Sequence, residues 1–336
     1  MRAICRPIWA LALDRPRRML LAVFCGAFAM AAWPQPASAT DTITLIVATP
    51  PGGSADRLAR ITATTLQPVV EEAVETRNIP GPGGVAGTGA LAKAAPDGRT
   101  LGLLTSTPLV AGRLLSGQAD YNPIKDFDWL AVIGTYANAV VVRNDHPART
   151  FDEWLESARS ATTPLKYSSP GIGTPSHLAG EFLRTEARAN LQHIPLPSGT
   201  PDAYPALSQG AVDVVIDGLP AALGAVGRGG FRVLAVTSEK RHPAVPDVPA
   251  FGEIWKGESF VVFAVVAAPR GLPDPVRIKL ASAAGVLVLD RNYVAQVSAL
   301  GIEFLGLTGA RATDFVQDEF VRHARLIAKY GITARR

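Results

Sequence analysis

The sequence predicts an α/β fold, with parallel sheets covered by helices on both faces, and three observations carry that prediction. Residues 43–48 form an apolar run interrupted only by Thr44, the pattern of a strand buried on both faces of a parallel sheet. Pro50-Pro51-Gly52-Gly53-Ser54 breaks the run, and a helical pattern with Leu58, Ile61 and Leu66 follows. Strand-like and helix-like stretches then alternate along the chain, the signature of βα units.

Taken in order, residues 101–104 read as a second strand and residues 138–142 as a third, which ends at the turn signal Asn144-Asp145-His146-Pro147. Thr150 reads as a helix N-cap, with Glu153 three residues on completing a capping box. Residues 212–216 and 233–237 are further strands, and residues 277–288 and 312–329 are helical. The apolar stretch 260–268 is strand-sized, and no segment beyond the N-terminus reaches membrane-span length.

The N-terminus reads as an export signal. Arg2, Arg6, Arg15, Arg17 and Arg18 form a basic region, residues 19–33 an apolar run too short to span a bilayer, and Ala37-Ser38-Ala39 an A-x-A cleavage site. The start codon is Met1 or Met19, and export to the periplasm with cleavage near Ala39 is expected. The net charge of +4 belongs to this segment. Five of the 33 basic residues and one of the 29 acidic residues lie within residues 1–39, which leaves 28 of each. A neutral remainder without clustered Lys or Arg points away from nucleic acid. Both cysteines, Cys5 and Cys25, also lie in the signal, so no disulfide and no cysteine metal site is expected in the mature chain.

In parallel sheets, ligands bind beyond the carboxyl ends of the strands. That rule selects three loops. The first holds Thr49, Pro51, Gly52, Gly53 and Asp56, between a strand and a helix start whose unpaired N–H groups suit a carboxylate. Asp56 reads either as a helix-end cap or as a ligand contact. The second follows residue 104 and holds Thr105, Ser106 and Thr107. The third runs from Tyr167 to Leu178 and brings Ser168, Ser169, Gly171, Gly173, Thr174 and His177 to another helix start. It lacks the G-K-[ST] ending of a phosphate loop, so a carboxylate held by neutral donors is the expected cargo. His177 and His193 read as structural. Asp213 is expected to be structural, and Asp217, at a strand's carboxyl end, is a candidate cleft residue, as is Ser198. No G-x-S-x-G, H-E-x-x-H, Walker A or dinucleotide fingerprint is present, so a binding protein is expected, without cofactor or metal. A secreted hydrolase would have to use Ser169 or Ser176 with His177.

Several short motifs, in this order, resemble the Bug proteins, the substrate-binding family of tripartite tricarboxylate transporters. They are P-P-G-G-x-x-D from Pro50 to Asp56, N-x-P-G-x-G-G from Asn78 to Gly84, Pro96-Asp97-Gly98-x-Thr100-Leu101 and Lys125-Asp126-Phe127. Tyr167-Ser168-Ser169-x-Gly171-x-Gly173-Thr174, His177-Leu178, Gly210-x-Val212-Asp213, Leu234-Ala235-Val236-Thr237-Ser238 and Val245-Pro246-Asp247-Val248-Pro249 continue the series. The resemblance covers nearly the whole chain after the signal. It implies a periplasmic-binding-protein fold: two α/β lobes joined by two crossover strands, closing on a small carboxylate held by amides, hydroxyls and waters from the first and third loops. The crossovers are expected near Val142 and Phe263, giving one lobe of residues 40–142 and 264–336 and another of residues 143–263. The implied partners are the transporter's membrane components or, alternatively, a sensor kinase ectodomain, with the protein itself a monomer. Three departures fall on the pocket. Ala48-Thr49 replaces the family's Pro-Phe, residues 193–198 replace H-V-P-Y-K-G and lose its Tyr and Lys, and Phe260 and Phe263 stand where a Trp is usual.

Overall fold

The computed structural model describes residues 42–196 and 199–333. The expected export signal, its cleavage site and Ser198 lie outside the described residues. The first third of the chain forms β1 (Thr42–Val47), α1 (Ser54–Val70), β2 (Ala73–Asn78), α2 (Val85–Ala92), β3 (Thr100–Thr105), α3 (Arg113–Leu115) and β4 (Phe127–Arg143). The middle third supplies α4 (Phe151–Ser160), β5 (Leu165–Ser168), α5 (Pro175–Thr185), β6 (Leu191–His193), α6 (Thr200–Ser208), β7 (Val214–Gly218), α7 (Leu219–Gly227) and β8 (Phe231–Val236). The chain ends with α8 (Phe251–Ile254), β9 (Val261–Pro269), α9 (Asp274–Leu289), α10 (Arg291–Ala299), β10 (Glu303–Thr308) and α11 (Ala310–Lys329).

The strands build two sheets that share β4. In the first, β2, β1 and β3 run parallel, and β9 joins β3 to β4 by antiparallel pairing on both sides. In the second, β6, β5 and β7 run parallel, and β7 pairs antiparallel with β4. β8 and β10 add antiparallel pairs to β4. The expected all-parallel sheets are therefore mixed at their junction. The cause is β4, which is 17 residues long and passes from one sheet to the other: residues up to Ala137 pair with β9, and residues from Asn138 pair with β7. The change of sheet falls at Ala137/Asn138, five residues before the expected Val142. On the return, Phe260 N–H still bonds Thr237 in the second sheet (2.8 Å), whereas Val261 already pairs with β4 in the first. That return comes three residues before the expected Phe263.

The apolar runs of the sequence explain the layers. Leu45 and Val47 in β1, and Leu103 in β3, join α1 (Leu58, Leu66) and α9 (Leu280, Leu287) in a core on one face of the first sheet. Val141, Val215 and Val236 do the same with Leu207 of α6 on the second sheet. A larger core, with Trp154, Phe182, Phe251 and Phe263, runs along the opposite faces. Half of the expected capping box before α4 is present: Thr150 Oγ1 accepts from Glu153 N–H (3.2 Å), but the Glu153 carboxylate accepts from Arg149 N–H (2.6 Å), one residue before the cap, instead of from Thr150 N–H.

Candidate functional site

The topology fixes where the strand ends meet. β3 ends at Thr105, opposite Ala264 of β9, which in turn faces Gly134 of β4. β7 ends at Gly218, opposite Asn138 of β4. The two strands point towards each other, so the carboxyl ends of both parallel sets face one another across residues 134–138, about 13 Å of strand. β1 is the parallel neighbour of β3, and β5 of β7, so the loops after Val47 and after Ser168 open at the same junction. Strand direction thus brings together loops more than a hundred residues apart in sequence.

The first loop is open to solvent at Pro51, Gly52 and Gly53. Asp56 holds it from below. Its Oδ2 accepts from Gly52 N–H (2.9 Å) and Arg60 Nε (3.0 Å), and its Oδ1 accepts from Arg60 Nη2 (3.1 Å) and Asn78 Nδ2 (3.0 Å). Asn78 Nδ2 also donates to the Thr49 carbonyl (3.0 Å), which ties the loop to β2. Burial alone would raise the Asp56 carboxyl, but Arg60, Gly52 and Asn78 outweigh it and hold the group below the usual carboxylate range. Of the two roles open to Asp56, the structure gives it that of a cap with its acceptor positions engaged. Gly53 has no neighbour nearer to a Cβ position than the Pro50 carbonyl at 3.9 Å, so only solvent or a bound molecule occupies the space beside it.

The second loop begins at Thr105, the last residue of β3, and continues at Ser106 into a π-helical turn over Thr107–Gly112. Ser106 is buried and Thr107 half-buried.

The third loop differs from the first in being packed. Four convergent hydroxyls were expected to be available there, and the structure spends three of them internally. Ser169 Oγ bonds His193 Nε2 (2.9 Å), and Ser176 Oγ donates to Asn138 Oδ1 (2.7 Å). Thr174 Oγ1 donates to the Gly171 carbonyl (2.8 Å) and accepts from His177 N–H (3.2 Å) as the N-cap of α5. A short Gly-rich turn must satisfy its own backbone when buried, and Thr174 does so, while Ser169 and Ser176 tie the turn to β6 and β4. His177 Nδ1 accepts from Gly173 N–H (2.9 Å), and its ring packs tilted against His193 at 4.2 Å between centroids. Gly173, at φ +76°, lies against the turn of the second loop. A Cβ there would stand 2.9 Å from Ala111 Cβ and overlap Leu115.

Three buried hydroxyls at the junction have no hydrogen-bond partner: Thr49 Oγ1 after β1, Ser106 Oγ after β3 and Ser168 Oγ in β5. Asp217 completes the set from β7. Its Oδ1 accepts from Gly218 N–H (2.7 Å) and Thr200 Oγ1 (3.0 Å), and burial drives its pKa up to about 6 against the opposing pull of those groups and Tyr204. Asp213 is structural, accepting Lys166 N–H (2.8 Å). Two residues went unread in the sequence. Tyr136 lies in the 134–138 stretch and packs over Gly218, where a Cβ would stand 3.0 Å from its Cε2. Tyr204 of α6 lies beside Asp217, and burial followed by the Asp217 charge raises its hydroxyl far above the usual range. No motif marks either one; their place depends on a register visible only in three dimensions. Among the described residues, no cluster of His, Cys, Asp or Glu has metal-binding geometry, and no helix is long and apolar enough to cross a membrane.

Comparison with known proteins agrees with this architecture. The family model for the tripartite tricarboxylate transporter family receptor matches residues 58–332. A protein of the tcbD–tcbE intergenic region of a Pseudomonas species is 32% identical over 87% of each chain. Protein BugT of Bordetella pertussis is 30% identical over 86% of this chain and 89% of its own. Among solved structures, a Rhodopseudomonas palustris protein with adipate superposes with a TM-score of 0.79 at 26% identity, covering 90% of this chain and all of its own. MatC of the same organism, with bound malate, superposes at 0.73 and 27% identity, covering 85% and 98%. The periplasmic binding protein BugD gives 0.77 and 28%, covering 88% and 99%. The fold is that of a two-lobed periplasmic binding protein, its relatives bind substrates without transforming them, and the chain belongs to the tripartite tricarboxylate transporter receptor family.

Proposed function

We propose that this protein captures a small carboxylate at the junction of its two sheets and delivers it, in the periplasm, to the membrane components of a tripartite tricarboxylate-type transporter. The observation that carries this reading is the convergence of unpartnered buried hydroxyls, Thr49, Ser106 and Ser168, on one junction between facing strand ends. A buried hydroxyl without a partner costs about 1–3 kcal/mol, and an acceptor placed between the sheets repays it. The helix starts of α1 and α5 add N–H groups and a partial positive charge on either side. None of the predicted site residues is Lys or Arg, so the carboxylate is held by neutral donors. Hydrogen bonds to a charged group contribute roughly 1.5–3 kcal/mol each, so a handful suffices for micromolar affinity. Similar proteins crystallised with adipate and malate support a dicarboxylate-sized cargo.

We divide the lobes at the sheet changes: residues 42–137 with 261–333 in one, and 138–260 in the other. Ligand touching both selects a closed arrangement. Calorimetric titration with a panel of mono- and dicarboxylates tests the reading. Micromolar binding of at least one supports it; no binding by any, or a ligand-bound structure with a bidentate Arg on the carboxylate, overturns it. Export is tested separately by the intact mass of protein recovered from the periplasm, expected to begin at Thr40 or Asp41.

A further inference from the structure

The two crossovers run side by side, Ala137 pairing with Val261, and one side chain joins them to each other and to the third loop. That residue is Asn138, where β4 enters the second sheet; it is buried, as are Thr237, Phe260 and Ser176 around it. Asn138 Nδ2 donates to the Phe260 carbonyl of the return crossover (2.7 Å) and to Thr237 Oγ1 (3.3 Å). Its Oδ1 accepts from Ser176 Oγ, in the first turn of α5 (2.7 Å). Thr237 braces the cluster. Its Oγ1 accepts from Asn138 N–H (2.8 Å) and donates to the Phe260 carbonyl (2.5 Å), and its own N–H and carbonyl bond Asn138 and Phe260 (2.8 Å each). These partners fix the orientation of the Asn138 amide, because the reversed amide would set its oxygen against the Phe260 carbonyl, acceptor against acceptor. Both donors and the oxygen of the amide are engaged, so any part it has in binding runs through the groups it holds.

We propose that Asn138 is a positioning residue: it makes the two crossovers a single hinge and couples that hinge to the start of α5, so that a ligand drawing on this helix start turns both strands together. The inference rests on the carboxylate reading above and adds to it the residue that links occupancy to closure. Two strands bending independently would leave the lobes loosely set. Bonded to one another just inside the second lobe, they bend together on the other side, at Ala137 and Val261. A closed arrangement is selected only as far as ligand contact favours it, and the Ser176 bond to Asn138 carries contact at α5 to the hinge.

The test compares the parent with Ser176→Ala, which cuts the tie to α5 and leaves the crossovers bonded, and with Asn138→Ala, which cuts both ties. Interlobe distance is read by pulsed electron paramagnetic resonance between spin labels at Thr64→Cys in α1 and Asp152→Cys in α4. Both positions are exposed, and the chain's own cysteines lie only at positions 5 and 25. In the free protein, Asn138→Ala is expected to broaden the distance distribution, and Ser176→Ala to leave it as narrow as in the parent. Release of the best-binding carboxylate, followed by stopped-flow, should be about tenfold faster in each variant, with association little changed. The double variant should release no faster than Asn138→Ala alone, since both residues act along one path. A merely structural cluster would lower the melting temperature of both variants while keeping the parent's distance distribution and release rate, and that result overturns the proposal. Additive acceleration in the double variant overturns it too. Melting curves establish folding, and Asn138→Ser replaces Asn138→Ala if the latter does not fold. If the parent binds no carboxylate, the reading above falls, while the free-protein distances still decide the hinge: broadening in the Asn138 variant keeps it, and an unchanged distribution removes it.

Discussion

Asp56 and Asp217 occupy comparable places. Each is buried, 3% and 2% exposed, and each lies where a parallel strand hands over to a helix. Their surroundings differ in depth and in the charge of the groups that reach them. Asp56 is met by a guanidinium, a side-chain amide and a backbone N–H, and its pKa falls. Asp217 is met by neutral groups alone, Gly218 N–H and the Thr200 hydroxyl with Tyr204 beside them, and burial raises its pKa to about 6. Two carboxylates with equally little solvent contact thus have opposite titration behaviour, because Asp217 lies deeper in the protein and meets no cation among the described residues. The contrast separates a carboxylate paired with a cation from one held by neutral groups alone. The loops differ as well. The first is exposed and is held by one capping carboxylate; the third is buried and consumes most of its own hydroxyls.

The largest effect expected from this comparison concerns pH. The folded pKa of Asp217 is raised from 3.8 to about 6, so its contribution is fully present below about pH 4 and is lost as pH rises through 6. Asp217→Asn lacks that loss. The variant should therefore gain on the parent by roughly 3 kcal/mol between about pH 4 and pH 7 in urea unfolding, two pKa units at 1.36 kcal/mol each. A constant difference across that range breaks the comparison. Asp56 has the opposite sign: its pKa is lowered, so its contribution is present above the ordinary carboxylate value and is lost as pH falls through the depressed one. Asp56→Ala strands Gly52 N–H and Asn78 and should cost about 2–3 kcal/mol at neutral pH; Arg60, with its side chain 56% exposed, simply returns to water. Full stability in that variant would remove Asp56 as the keeper of the first loop.

Much of this was legible in the sequence. The apolar run of β1, the Gly-rich breaks after strands and the Thr150 N-cap each follow from local chemistry, and the structure has them within a residue or two. The mixed junction was not legible. β4 runs 17 residues, and only its second half, 138–142, stands out as a strand; its first half is joined to β9 by pairing more than a hundred residues away in sequence. The fate of the third loop's hydroxyls was equally hidden. Ser and Thr in a Gly-rich turn serve a ligand or the protein itself with the same composition; Thr174 bonds its own turn and Ser176 the Asn138 side chain of β4. Tyr136 and Tyr204 carried no signal at all, because a lone Tyr in a strand or helix is ordinary core material until its neighbour proves to be Asp217.

Thr174 shows the consequence. As an N-cap whose hydroxyl donates to Gly171, it has no donor left for a carboxylate, so Thr174→Val should lower ligand-free stability by about 1 kcal/mol in thermal or chemical unfolding. A variant as stable as the parent but with reduced carboxylate affinity would return that hydroxyl to the ligand.

Gly53 is predicted to have the smallest effect on the fold and tests the central claim most directly. Its Cβ direction meets nothing closer than 3.9 Å, and its φ of −75° is open to any residue, so Gly53→Leu should leave the melting temperature of the free protein unchanged. If the carboxylate sits between the sheets against the start of α1, the added side chain occupies its place. Calorimetric titration of parent and Gly53→Leu with the best-binding carboxylate should then show affinity lost by at least tenfold in the variant. Equal affinity in the two proteins would contradict the account and place the ligand elsewhere.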